Sequence, residues 1–164
     1  MRDVVDGILD SWRSQLPEIA GIELELSKRA GRLYLLLSEA TNAQLTRFGL
    51  TKAEYDVLAV LRSSGEPYRL RPTDLAARLL LSSGGTSNVL RRLAAEGLIT
   101  READQADARS TWVQLTREGV DMAEAAVVAS TEAQRAQLKA VPPETARAAA
   151  DVLREVLLAL GDRF

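Results

Sequence analysis

The chain has 164 residues, 46% of them hydrophobic, and a formal net charge of −2, which suits one ordinary domain or a core with appended helices. Cysteine and histidine are both absent. That excludes disulfides, thiol chemistry and thiolate or imidazole metal sites, and removes the commonest general base. No run approaches the roughly 20 apolar residues that span a bilayer, and the opening MRDVVDGILDSWRS carries acids and lacks the apolar segment of a secretory signal. A cytoplasmic protein without metal or cofactor is expected.

Residues 4–16 predict a short amphipathic helix, with Val5, Ile8, Leu9 and Trp12 at helical spacing and Pro17 as its limit. Trp12 fits a hydrophobic anchor or one wall of a small-molecule pocket. Residues 20–47 predict one long helix whose buried face carries Leu33, Leu36, Leu37 and Ala40. Tyr34 and Leu35 widen that face, as for a helix buried against more than one neighbour. Phe48-Gly49-Leu50 ends it, and Thr51-Lys52-Ala53-Glu54 is a capping box that opens the next helix. That helix carries Tyr55, Leu58, Ala59 and Leu61 and stops at Ser64-Gly65. Asp56 in its first turns either complements the helix dipole or is a surface charge, or else it is a buried partner for a basic group.

Tyr68-Arg69-Leu70 is a very short extended run. Pro72 suits a first helical position, with Thr73 as an alternative cap, and the helix to Leu81 points Leu75, Ala76 and Leu79 inward. Ser82-Ser83-Gly84-Gly85 then opens a second helix that Gly97 ends. At roughly 100° per residue, Thr86, Leu90, Leu93 and Gly97 share one side of it. Asn88 and Arg92 fall nearly opposite, Gly84 and Gly85 lie on the same outward side, and Arg91 is on its flank. Two helices around a tight turn make a helix-turn-helix. The outward face suits the DNA major groove, where Asn pairs with adenine and Arg with guanine or phosphate. Taken alone it suits a solvated surface equally well.

A hairpin follows, with Leu98-Ile99 in one strand and Trp112 to Leu115 in the other. The loop between them, Glu102 to Ser110, reads either as a solvated connection or as a wing with Arg109 near its tip, oriented by Asp107. Thr116 caps a long Ala-rich helix over 117–140, and Val141-Pro142-Pro143 breaks it. The last helix has Ala149, Val152, Leu153, Val156, Leu157 and Leu160 on one stripe. These flanking helices are more apolar than a small winged-helix core requires, so two-fold dimerisation is the expectation. Charge supports a local nucleic-acid footprint: Arg62 to Arg117 holds nine Arg against six Asp or Glu, while the remainder holds 12 basic and 17 acidic residues.

In this order of elements, the run LLLSSGGTSNVLRRLAAEGLITR, the wing Asp107-Ala108-Arg109-Ser110 and the restart Leu115-Thr116-Arg117-Glu118-Gly119 make the chain resemble the MarR family of ligand-responsive bacterial transcription regulators. The resemblance covers nearly the whole length. It implies a mainly α fold with a small β-hairpin wing, a winged helix-turn-helix flanked by N- and C-terminal dimerisation helices. On that reading residues 1–164 form a single domain, with a DNA-binding lobe at 51–116 and dimerisation helices at 1–48 and 117–164. It also implies a homodimeric regulator, in the repressor sense, on a palindromic operator in double-stranded DNA, responsive to a small-molecule effector. Carried over by position, Ser83, Gly84, Ser87, Asn88, Arg91 and Arg92 face DNA, and Arg109 is the wing contact. The N-terminal helix is similar to one in the urate-responsive branch, which places Trp12, Asp56 and Arg101 in a ligand pocket, and Tyr34 is expected as a further ligand-binding residue. A further Arg position of that branch is Val89 here, so the ligand is read as a small anionic or aromatic molecule.

Two other classes compete with this one. A winged-helix module that binds protein instead of DNA is opposed by the outward basic face with Gly84 and Gly85. An enzyme is opposed by the missing His and Cys. The Ser82–Gly85 run is neither a Gly-x-Ser-x-Gly elbow nor a P-loop followed by Gly-Lys-Ser/Thr.

Overall fold

The structure, a computed structural model, describes residues 1–79, 83–103 and 111–162, and the side chains of these except at positions 83 and 84. It is mainly helical with one small sheet. The elements run α1 (Val4–Gln15), α2 (Ile22–Leu45), α3 (Lys52–Ser63), β1 (Arg69–Leu70), α4 (Pro72–Leu79), α5 (Ser83–Ala95), β2 (Ile99–Ala103), β3 (Thr111–Leu115), α6 (Arg117–Gln137) and α7 (Pro143–Ala159). Short 3-10 turns occur at Pro17–Ile19, Thr46–Phe48 and Leu138–Ala140. Two long helices therefore finish earlier than their periodicity predicts, because their last turns tighten to 3-10 geometry. The chain divides into two compact units, Met1–Ala40 and Thr41–Phe164.

In the first unit Asp3 and Asp6 form a reciprocal capping box at the start of α1, each carboxylate accepting from the other's backbone N–H at 2.9 Å. Arg29 on α2 donates to Asp3 at 3.0 Å and to Asp6 at 2.8 Å, and also pairs with Glu25. Val5 and Leu9 are buried, whereas Leu33, Tyr34 and Leu35 are exposed and Leu36, Leu37 and Ala40 half-buried. The apolar face expected to be buried on α2 is thus left largely open within one chain.

The second unit holds the core. Val57, Leu58 and Leu61 of α3 meet Leu75 of α4, Leu90 and Leu93 of α5, Leu70, Ile99, Val113 and Leu115 of the sheet, and Ala123 and Ala126 of α6. Each fully buried Leu or Val contributes about 1.5–3 kcal/mol relative to exposure. The three strands pair antiparallel in the order β1-β3-β2, with Ile99 opposite Leu115, Arg101 opposite Val113 and Arg69 opposite Gln114.

Caps set the element ends. Thr51 and Glu54 form the expected box at α3, and Thr116 accepts from the Gly119 N–H at 3.0 Å to start α6. Pro72 is itself the first residue of α4, and the Leu75 N–H reaches the Arg71 carbonyl at 2.9 Å, so Thr73 lies inside the helix. Gly97 has φ 72°, the left-handed conformation that costs glycine nothing. The Leu98 N–H then returns to the Leu93 carbonyl at 2.9 Å and closes α5. At Gly119 the reason for glycine is space. A Cβ there would stand 1.9 Å from the Leu98 carbonyl oxygen, because the first turn of α6 lies directly on the start of β2.

Candidate nucleic-acid interface

The short helix α4 and the helix α5 form the helix-turn-helix, and the connecting residues 80–82 lie outside the described residues. The buried side of α5 is the predicted one: Thr86, Leu90 and Leu93 are buried and Val89 is half-buried. Gly85, Ser87, Asn88, Arg91 and Arg92 are exposed. Ser83 and Gly84 supply the first residues of the helix. Apolar burial therefore decides which side of α5 faces the core and turns a small, polar and basic face outward.

Two of the arginines on this face are engaged differently. The Arg91 guanidinium donates to Asn88 Oδ1 at 3.0 Å, so the two groups form one polar patch at the surface. Arg92, 58% exposed at its side chain, turns back toward the core. Its Nε lies 3.0 Å from Oε1 of Glu54, a carboxylate only 1% exposed, and its Nη2 is 3.9 Å from Glu96. Oε2 of Glu54 accepts from the Thr51 N–H at 2.8 Å and the Thr51 hydroxyl at 2.7 Å. Sequence reasoning finds the capping box and misses this second partner. The signal is limited to an acid at the third helical position, and burial of that acid follows only from where α5 packs.

The hairpin also forms as expected, but its loop from Asp104 to Ser110, with Asp107 and Arg109, lies outside the described residues. On the outer face of the sheet the half-buried Trp112 ring has the Arg69 guanidinium 4.7 Å and the Arg71 guanidinium 5.1 Å from its centroid. Arg101 is exposed on the opposite face, in register with Val113.

Of the four expected pocket residues, Trp12 (40% exposed) and Tyr34 (63% exposed) belong to the first unit. Asp56 belongs to the second, where Lys52 Nζ donates to both its carboxylate oxygens at 2.5 and 2.6 Å. It lines an open cavity of about 540 Å³ with Tyr55, Val60, Arg78, Leu79 and Val127. Arg101 is absent from that lining. Among the described residues no cluster of three His, Cys, Asp or Glu could hold a metal, and no helix is long and apolar enough to cross a membrane.

Known proteins share this geometry. The HTH-type transcriptional regulator PecS of Dickeya dadantii is 28% identical over 131 residues, 80% of this chain and 79% of that protein. Sco3205 of Streptomyces coelicolor, a MarR family transcriptional regulator solved in complex with DNA, matches with a TM-score of 0.73 at 26% identity, covering 85% of this chain and 89% of that one. BpsR of Bordetella bronchiseptica, a structure concerned with regulation of DNA binding by 6-hydroxynicotinic acid, matches with a TM-score of 0.69 at 23% identity, over 79% and 91% of the two chains. The MarR family model itself matches residues 48–110, which run from just before α3 through the wing loop. Over residues 48–110 the chain thus matches the MarR family model, and over most of its length it is similar to MarR family regulators in sequence and fold.

Proposed function

We infer that the protein is a sequence-specific DNA-binding transcription regulator that binds a palindromic operator as a homodimer, with repression as its mode of action in the cytoplasm. The observation that carries this reading is α5, whose exposed Ser87, Asn88 and Arg91 stand away from a core fixed by Thr86, Leu90 and Leu93. Ser83 and Gly84 at the start of α5 bring the backbone close to phosphate, Asn88 and Arg91 reach base edges, Arg92 borders this face and Arg109 on the wing reaches the backbone. Two such helices on a two-fold axis read half-sites roughly 34 Å apart.

Dimerisation is supported by the apolar stripe of α7 and its C-cap, where Val152, Leu157 and Leu160 are exposed, Leu160 by 79%. A stripe of this kind needs cover, and a second copy supplies it isologously. The effector is a small anionic or aromatic molecule. The cavity lined by Asp56 supports this, since it combines Tyr55, Leu79 and Val127 with the cation Arg78. Trp12, Tyr34 and Arg101 remain the other proposed ligand residues, and urate is one candidate among purines and aromatic acids.

The test is fluorescence anisotropy with duplexes from the region upstream of the gene, at several salt concentrations. Asn88→Ala is expected to remove about 1–3 kcal/mol of discrimination at one base pair of each half-site. Arg109→Ala should weaken binding to all sequences and flatten the salt dependence by about 0.9 for each phosphate it no longer neutralises. Absence of any binding at low salt would favour the protein-interaction module.

A further inference from the structure

We infer that Arg92 is a positioning residue, which sets the rotation of α5 on α3 through the buried carboxylate of Glu54 and acts on DNA affinity by that route. This rests on the DNA-binding reading above. Glu54 is 1% exposed, and its Oε2 is committed to the Thr51 N–H and hydroxyl at the start of α3. Its Oε1 is buried without an aligned hydrogen bond, and Arg92 Nε lies 3.0 Å away. The carboxylate therefore has acceptor capacity to spare, and a cation from the recognition helix stands against it.

Leu58 and Leu61 of α3 and Leu90 and Leu93 of α5 lie in the same apolar core. Such contacts are non-directional, and they tolerate small rotations of one helix on the other. A charge pair does not. It is short-ranged and directional, and leaving it strands the Glu54 charge in a low-dielectric interior. Arg92 is thus held where it is, and Asn88, four residues earlier, is held one turn further along the same flank. The pair fixes the angle at which Asn88 and Arg91 are presented.

This role separates from direct DNA contact by its dependence on Glu54. Glu54→Gln keeps the reciprocal cap, since Gln also serves at that position, and removes the buried charge. The full-length chain is compared as wild type, Arg92→Ala, Glu54→Gln and the double variant, by duplex binding across a salt series and by thermal unfolding. Arg92→Ala alone should lower operator affinity about tenfold with an unchanged salt slope, because the same phosphates stay neutralised. In the Glu54→Gln background the same change should cost about threefold or less, as the stranded charge is gone. Arg92→Lys, which keeps the charge, should retain most of the unfolding midpoint. An equal loss of affinity in both backgrounds, with the salt slope flattened by about 0.9, overturns the inference in favour of direct contact. If the wild-type chain binds no DNA, the regulator reading fails and the unfolding midpoints decide the pair. Destabilisation by Arg92→Ala only where Glu54 is present supports it, and equal destabilisation in both backgrounds overturns it.

Discussion

Replacing Gly119 by Ala adds one methyl group, and the position of Gly119 makes that methyl expensive. The new Cβ would lie 1.9 Å from the Leu98 carbonyl oxygen, 2.9 Å from its carbon and 3.3 Å from Leu115 Cδ2. The obstacle is backbone, so no side-chain rotation relieves it. The first turn of α6 must lift from the start of β2, and two bonds hold it there. The Thr116 N–H donates to the Leu98 carbonyl at 3.1 Å, and the Thr116 hydroxyl donates to the Gly97 carbonyl at 2.7 Å. Overpacking costs about 1–3 kcal/mol, and each strained hydrogen bond adds up to about 1 kcal/mol. The better helix propensity of Ala returns about 1 kcal/mol. The net is a loss centred near about 2 kcal/mol and reaching about 4 kcal/mol, which lowers the midpoint by roughly 2–4 °C per kcal/mol for a chain of this size. Thermal unfolding followed by circular dichroism measures it. Gly31→Ala is the matched control, because Gly31 lies inside α2 and a methyl added there meets nothing within 4 Å. There the same substitution should stabilise by about 0.5–1 kcal/mol. If Gly119→Ala matches or exceeds the wild-type midpoint while Gly31→Ala behaves as expected, the close approach of α6 to β2 is refuted.

Three further outcomes follow from the same structure. Leu93→Ala empties a fully buried site under the recognition helix and should cost about 2–5 kcal/mol in denaturant unfolding, where a change below about 1 kcal/mol would place Leu93 outside the core. Thr116→Ala removes the cap on the Gly119 N–H and should destabilise by about 0.5–2 kcal/mol, with Thr116→Asn largely restoring the midpoint. At α1, the Asp6 backbone N–H and the neighbouring Arg29 hold the Asp3 carboxyl below its ordinary pKa. A depressed carboxyl contributes its full share above the unfolded-state value and loses it as pH falls through the folded-state value. The amide protection factor in the first turn of α1, with intrinsic exchange divided out, should therefore fall below about pH 4 and stay flat from there to neutrality.

The elements that the sequence determined are those whose causes are local. The Thr51–Glu54 box, the Gly49 and Gly97 stops, the Thr116 cap and the alternation of Val113 and Leu115 each depend on a few adjacent residues, and each stands where its pattern predicts. The facing of α5 is legible for the same reason, since Thr86, Leu90 and Leu93 repeat at the helical period and burial of that stripe turns Asn88 and Arg91 outward. The resemblance of the α5 run and the α6 restart to the MarR family carries the order of elements further than periodicity alone.

What only the tertiary structure decided are the pairings between residues distant in sequence. Helical spacing makes Arg92 an outward partner of DNA, yet its guanidinium meets Glu54, 38 positions earlier on a different helix. Spacing leaves Asp56 between the helix dipole, a surface charge and a buried basic partner, and in the fold it pairs with Lys52 and lines a cavity. Alternation assigns Trp112 a face but no neighbours, and Arg69 and Arg71 lie against it because β1 and β3 are adjacent. The necessity of Gly119 depends on the path of β2 past the start of α6. Local sequence fixes caps, stops and periodic faces because short-range sterics and hydrogen bonds set them. A charge pair or a close backbone approach between distant segments exists only once the core has brought those segments together.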